Sequence, residues 1–413
     1  MSHIRPFKGL RPAKDLAAKI SSLPYDVLDT EEARQVIAAE PLSFLTVTKP
    51  EATLPEGTDA YSAEVYQQGK FNLLKYIEQK QMVQDAVPCY YIYRQQMGAH
   101  IQIGLVAACS VEEYRTNLIK KHELTRVDKE TDRVKHIEAT QAQTGPVFLT
   151  YKSKGQIAAL ILQIMGDKQP VYDFKAADGI QHTIYVVSEL PLVAQITKLF
   201  EQVQALYIAD GHHRCAAAER VSAAAAQSGK AAGEQDYFLA VIFPDNMMKV
   251  MDYNRVVKDL NGLSFEDFFS RLEQVFAINE LSGLPQLKGK HQFAMYIDES
   301  WYELKLLNAV QESNPVASLD VSILQEQVLQ PILGIGDPRT DERIAFVGGI
   351  RGLKELENKV NCGEYTVAFA LYPTTVEQLM QVADQGLVMP PKSTWFEPKL
   401  RDGLVVHLIG DEQ

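Results

Sequence analysis

The chain has 413 residues, 46% of them apolar, and a formal net charge of −12; a chain of this length is larger than one hydrophobic core usually organises. The acidic balance excludes general affinity for nucleic acid or an anionic membrane surface, both of which select a basic face. Cys89, Cys109, Cys215 and Cys362 are widely separated, which excludes a disulfide framework and a zinc knuckle.

In chain order, the opening residues 1–6 carry no apolar signal core and the strongest apolar stretch, 158–165, is too short to cross a bilayer. A cytoplasmic, non-membrane protein is therefore expected. Asp29 with Glu32 three residues on marks a capped helix start, and 43–48 (SFLTVT) has strand character. A helix over 60–80 is followed by a hairpin, 90–93 and 101–107, turning at Gly98. The middle region shows a charged helix over 128–143, a strand at 146–151, a helix at 156–165, a hairpin at Asp178-Gly179 and a helix at 191–204. A short apolar strand, 206–209, then precedes an Ala-rich helix over 215–226. Further on come a strand at 237–243, a helix at 264–276, a hairpin at 293–297 and 302–307, a helix at 320–329, and strands at 344–347 and 365–371. This alternation predicts a mixed α/β fold in three units: 1–115, a core over 116–260, and 261–413.

The most informative stretch is Asp210-Gly211-His212-His213-Arg214, placed between a strand and a helix. A helix N-terminus offers unpaired N–H groups and the positive end of its dipole, and Gly211 lets a phosphate approach the backbone. His212, His213 and Arg214 add donors, Arg214 with bidentate geometry. Asp210 reads as a helix cap or a contact for magnesium. No histidine spacing predicts a resident metal site; adjacent His212 and His213 point apart. A second constellation is His122-Glu123 with Arg126, Lys129 and Arg133, a carboxylate among cations suited to deprotonating a hydroxyl. Taken alone it is equally an exposed charged helix. A third is the stiff turn 390–395, which presents Lys392 and equally serves to pack Trp395. Asp26 is a similar candidate.

On these residues the chain resembles a widespread bacterial and archaeal domain-of-unknown-function family along nearly its whole length. The stretches are Leu23 to Val27, Lys121-His122-Glu123 with Asp132-Arg133, Asp210 to Arg214, Leu319 to Leu324, and Met389 to Thr394. That family is distantly similar to the ParB/sulfiredoxin superfamily, whose free-serine kinases carry an Asp-Gly-His-x-Arg phosphate turn and an upstream His-Glu pair. The resemblance implies a ParB/sulfiredoxin-like core holding the turn, flanked by additional α/β units. It assigns nucleotide phosphates to Asp210 to Arg214 and the catalytic carboxylate to Glu123 beside His122. The interval between the motifs is longer here than in the kinases, which requires an insertion. His212 stands where sulfiredoxins have a reactive cysteine, and neither a helix-turn-helix nor a basic surface is present.

The expectation is a kinase: a phosphotransferase using ATP or ADP with magnesium on a small hydroxyl-bearing metabolite, free L-serine first. Glu123 acts as base, and Arg133 and Lys392 steady the transferring charge. The alternatives are a nucleotide-binding regulatory protein with little turnover and a phosphatase or nucleotide hydrolase.

Overall fold

In a computed structural model, described over residues 2–310 and 313–410, chain contacts divide the protein into two compact units. The larger joins Met1–Met248 to Pro398–Gln413, and the smaller is Lys249–Glu397. The architecture is mixed α/β, as the alternating pattern predicts. Residues 1–115 and 116–260, separate units in the sequence reading, share one sheet here, because strand His100–Ser110 pairs with Tyr237–Pro244.

Among the described residues the larger unit carries a nine-stranded sheet. Its order is Ile119–Lys120, Leu206–Asp210, Val147–Tyr151, Tyr237–Pro244, His100–Ser110, Tyr90–Met97, Gln181–Val187 and Tyr172–Lys175, with Ile4–Arg5 pairing off this path. Most neighbours are antiparallel. Two pairs are parallel: Leu206–Asp210 with Ile119–Lys120, and Tyr237–Pro244 with Val147–Tyr151. Leu105, Leu149, Ile208 and Ile242 form the core under helices Gly155–Asp167, Leu190–Phe200 and His212–Gln227. The last helix is rich in alanine, and small side chains suit close packing on two sides. Cys215, Ala216 and Ala218 face the sheet core, while Ala217 and Val221 pack with Ile137 of helix Val127–Thr140. A four-stranded sheet, Met82–Gln84, Gly9–Pro12, Val406–Leu408 and Ala142–Gln143, ties both ends of the chain together.

Among the described residues the smaller unit carries a six-stranded antiparallel sheet ordered Phe276–Leu281, Ser300–Leu306, Gln292–Ile297, Val367–Leu371, Tyr253–Val257 and Ile344–Gly348. Its first and last segments, Lys249–Met251 and Trp395–Glu397, pair antiparallel.

Several local expectations shift. The SFLTVT stretch is not a strand: Leu45–Thr48 is a helical turn, buried throughout. A short apolar run does not distinguish strand from buried helix. Here the Thr46 hydroxyl donates to the Ser43 carbonyl at 2.9 Å, a local bond that favours the turn. The charged helix stops at Thr140, where Gln141 takes a left-handed conformation, and Ala142–Gln143 becomes a strand. The 264–276 helix ends at Leu272, and Phe276 begins a strand. The Asp29 capping box is present in full, with Glu32 N–H donating to Asp29 and Asp29 N–H to Glu32, both at 2.8 Å.

Candidate functional site

Two strand-to-helix turns meet at one edge of the large sheet. Ile119–Lys120 leads through His122 and Glu123 into helix Val127–Thr140, and Leu206–Asp210 leads through Gly211 into helix His212–Gln227. The two strands are parallel neighbours, Ile119 opposite Leu206 and Lys120 opposite Tyr207. Both turns therefore leave the same end of the sheet, the carboxyl end, where open α/β sheets place ligand crevices. This is why motifs almost ninety residues apart come together. The His122 N–H donates toward His212 Nε2 at 3.5 Å, and the Arg126 N–H donates to His213 Nε2 at 3.1 Å.

Gly211 is the N-cap, at φ 99° and ψ 29°, and no side chain among the described residues caps this helix. The capping role expected of Asp210 is thus not taken. Asp210 instead accepts a hydrogen bond from Lys399 Nζ at 3.1 Å. A Cβ at Gly211 would lie 3.3 Å from Arg214 Nε and 3.4 Å from the Val147 Cα, tight but not closed, and it is the positive φ that favours glycine here. Arg214 folds back beneath it. Its Nη1 donates to the Pro146 carbonyl, its Nη2 faces Asp26 at 3.4 Å, and its Nε has no hydrogen-bond partner among the described residues.

Buried and half-buried charge is concentrated here. Burial opposes the charge on Arg214, yet Asp26 and Asp210 outweigh it and hold the guanidinium protonated. Burial likewise opposes ionisation of Asp210, and Lys399 and Arg214 overcome it, keeping the carboxyl well below its usual range. Desolvation depresses both histidines: His122 falls to about 4 and His212 well below its ordinary value, so each ring is neutral near pH 7. Glu123, with its side chain 42% exposed, places a carboxylate oxygen 3.7 Å from His212 Nδ1. The rings of His122 and His212 meet edge to face, centroids 4.5 Å apart. An accessible carboxylate thus sits beside a cationic helix start, a pairing able to take a proton from a hydroxyl while anionic charge is held nearby.

A family model described as "Protein of unknown function (DUF1015)" matches residues 4–322. The chain belongs to the DUF1015 family. No curated protein matches the sequence at a significant level. Among solved structures, a free serine kinase in complex with AMP is similar at 14% identity and a TM-score of 0.33, covering 70% of this chain and 86% of that one. A conserved hypothetical protein from Pyrococcus furiosus is similar at 17% identity and a TM-score of 0.34, covering 73% and 95%. C-terminally truncated SbnI from Staphylococcus aureus is similar at 11% identity and a TM-score of 0.37, covering 72% and 85%. Likenesses at this level fix neither fold nor activity.

The DUF1015 match takes in Asp26, Glu123 and the 210–214 turn but stops before Lys392, Lys399 and Asp402. Arg133 is buried in this DUF1015 chain. It pairs with Asp132 at 2.7 Å and stacks 3.9 Å from the Tyr25 ring centroid. With Tyr25 and Arg214 it lines a cavity of ≈ 30 Å³, about the space of two waters. Lys392 belongs to the smaller unit. There it has φ 56°, its carbonyl accepts from Arg255 Nη2 at 3.0 Å, and its ammonium lies 5.9 Å from the Tyr253 ring centroid. Ser393 bonds the Pro390 carbonyl at 2.6 Å and Trp395 meets Tyr253 edge-on, so the packing role of this turn is on view. Lys399 and Asp402 escaped sequence reasoning. Each is a lone polar residue in a C-terminal segment, without spacing to any motif. Among the described residues no helix is long and apolar enough to cross a membrane.

Proposed function

We propose that this DUF1015 protein is a nucleotide-dependent phosphotransferase acting on a small hydroxyl-bearing metabolite, with free L-serine as the first acceptor to test. The observation that carries this reading is the uncapped, left-handed Gly211 start of a long helix beside the accessible Glu123 carboxylate. Backbone N–H groups and the helix dipole receive the donor phosphates of ATP or ADP, and Arg214 and His213 add donors from the same turn. Glu123 takes the proton from the attacking hydroxyl, and neutral His212 steadies that carboxylate. Arg133, locked against Asp132 and Tyr25, holds the floor under Arg214. When bound, magnesium neutralises phosphate oxygens. It takes oxygen ligands and one or two carboxylates, and the part-exposed Asp26 beside Arg214 is the carboxylate we assign to it.

Purified protein incubated with magnesium, ATP or ADP, and serine or a pool of hydroxyl metabolites should yield phosphorylated product by mass spectrometry. Glu123→Gln should cut turnover by 10²-fold or more, the lower end of what a general base contributes, roughly. Turnover at the wild-type rate in a folded Glu123→Gln protein would remove the base from this reading. A second reading, a nucleotide-binding regulator with little turnover, is favoured by one observation: Lys399 already neutralises Asp210, leaving that carboxylate committed to the protein. Nucleotide binding without product from any acceptor would select it.

A further inference from the structure

His122, Glu123 and His212 offer two imidazole nitrogens and one carboxylate oxygen that all lie within 4.8 Å of one another. His122 is 2% exposed, and its Nδ1 has no hydrogen-bond partner among the described residues. A buried polar atom without a partner loses its hydration with nothing in return, and such atoms call for an explanation. The neighbouring contact, from the His122 backbone N–H to His212 Nε2 at 3.5 Å, is at the outer limit of a hydrogen bond and holds that one ring nitrogen weakly, so Nε2 can carry the proton when Nδ1 ligates.

We infer that His122, Glu123 and His212 form a three-ligand site for a divalent first-row transition ion of the zinc class, with at least one coordination position left open. The donor set decides the class of ion: magnesium and calcium take oxygen ligands, whereas imidazole suits zinc and its neighbours in the first row. Two histidines and one carboxylate, with an open position, are a recurrent zinc set. The spacing is close to what is needed. Bonds of ~2.0–2.1 Å in a tetrahedral site put donors roughly 3.3 Å apart, and His212 Nδ1 and Glu123 Oε2 are already 3.7 Å apart. Closing the remainder asks for movement of Glu123, which is exposed and sits in the turn before helix Val127–Thr140. The two histidines are buried just beyond the ends of adjacent strands, His212 as the first residue of its helix, and supply the fixed half of the site. The assignment does not rest on the phosphotransfer reading, because the three clustered donors and the unpartnered His122 Nδ1 are there whether or not a nucleotide binds.

The full-length protein, stripped with a chelator and held without nucleotide, is titrated with cobalt(II) under visible absorption and with zinc by calorimetry, each with magnesium in large excess. One ion per chain, with the absorption bands of nitrogen- and oxygen-ligated cobalt, is the expected result. Glu123→Ala, which alters an exposed side chain, should weaken binding roughly a hundredfold, in line with the cost of disturbing metal ligation. His212→Gln should do the same, its folding checked by circular dichroism. Absence of binding, displacement by magnesium, or unchanged affinity in Glu123→Ala would each overturn the site. Nucleotide affinity, measured separately in Arg214→Ala, bears on the phosphotransfer reading alone.

Discussion

Gly211→Ala separates the backbone cost of the phosphate turn from its steric role. At φ 99° and ψ 29° an alanine meets the left-handed penalty, on the order of 1–2 kcal/mol. Its Cβ would also sit 3.4 Å from the Val147 Cα, which cannot move freely, and 3.3 Å from Arg214 Nε, which can. Arg214 is the group that yields, loosening its contacts with Pro146 and Asp26, for a further cost of about 1 kcal/mol. Gly98 supplies the control. It too has positive φ, at 59°, and a Cβ there meets nothing within 4 Å. Urea denaturation should therefore show Gly98→Ala losing roughly 1 kcal/mol and Gly211→Ala roughly 2–3 kcal/mol. Calorimetry with ATP should show affinity unchanged in the first and lowered at least about tenfold in the second, the equivalent of ~1.4 kcal/mol. Equal stability losses in the two variants, with wild-type ATP affinity in both, would refute the reasoning.

Lys399→Ala should destabilise the larger unit by about 1 kcal/mol, the pair with Asp210 being partly screened by solvent. Adding Asp210→Asn should restore most of it, as a urea double-mutant cycle would show. Acid stability follows from buried imidazoles. Burial holds His122 and His136 at about 4 and His182 at about 3, whereas the unfolded rings take a proton near 6.5. The unfolded state binds more protons between these values, so this stability is present above pH 6.5 and is lost as pH falls toward 4, by roughly 3 kcal/mol per histidine at most. Asp402, pushed up to about 7 by burial, works with the opposite sign, its contribution fading as pH rises through 7. The depressed histidines, with His212 and His407 added, outnumber the raised carboxyls Asp402, Asp320 and Glu113 and predict a net fall on acidification, read as a declining urea midpoint from pH 6.5 to 4.

The strand–glycine–helix turn was legible because its signals are local: an apolar run, a glycine, then a strong helix former, giving strand Leu206–Asp210 and helix His212–Gln227. The approach of Glu123 to His212 was not, since it depends on a two-residue parallel strand, Ile119–Lys120, too short to leave a pattern. Gly9–Pro12 and Val406–Leu408 escaped for the same reason, one containing proline and the other only three residues long. The metal-ligating trio escaped because its members lie on two turns, and ligand spacing is visible in sequence only when one element carries the ligands. The 43–48 stretch shows the converse error, strand-like composition settled otherwise by burial on every side.

Synthesis order gives the pairing of Lys249–Met251 with Trp395–Glu397 a role in assembly. Lys399, Asp402 and strand Val406–Leu408 are made after the whole smaller unit, yet each pairs with residues made before it. Without a clasp, bringing the returning segment home would close a flexible loop of about 150 residues, an entropic cost of roughly 4 kcal/mol. A smaller unit that folds first zips its own two ends together and hands the final segment back beside the point where the chain departed. The Gly211 turn then receives its lysine only after the smaller unit has been made, so a nascent chain stalled inside that unit would hold the motif without its counter-charge.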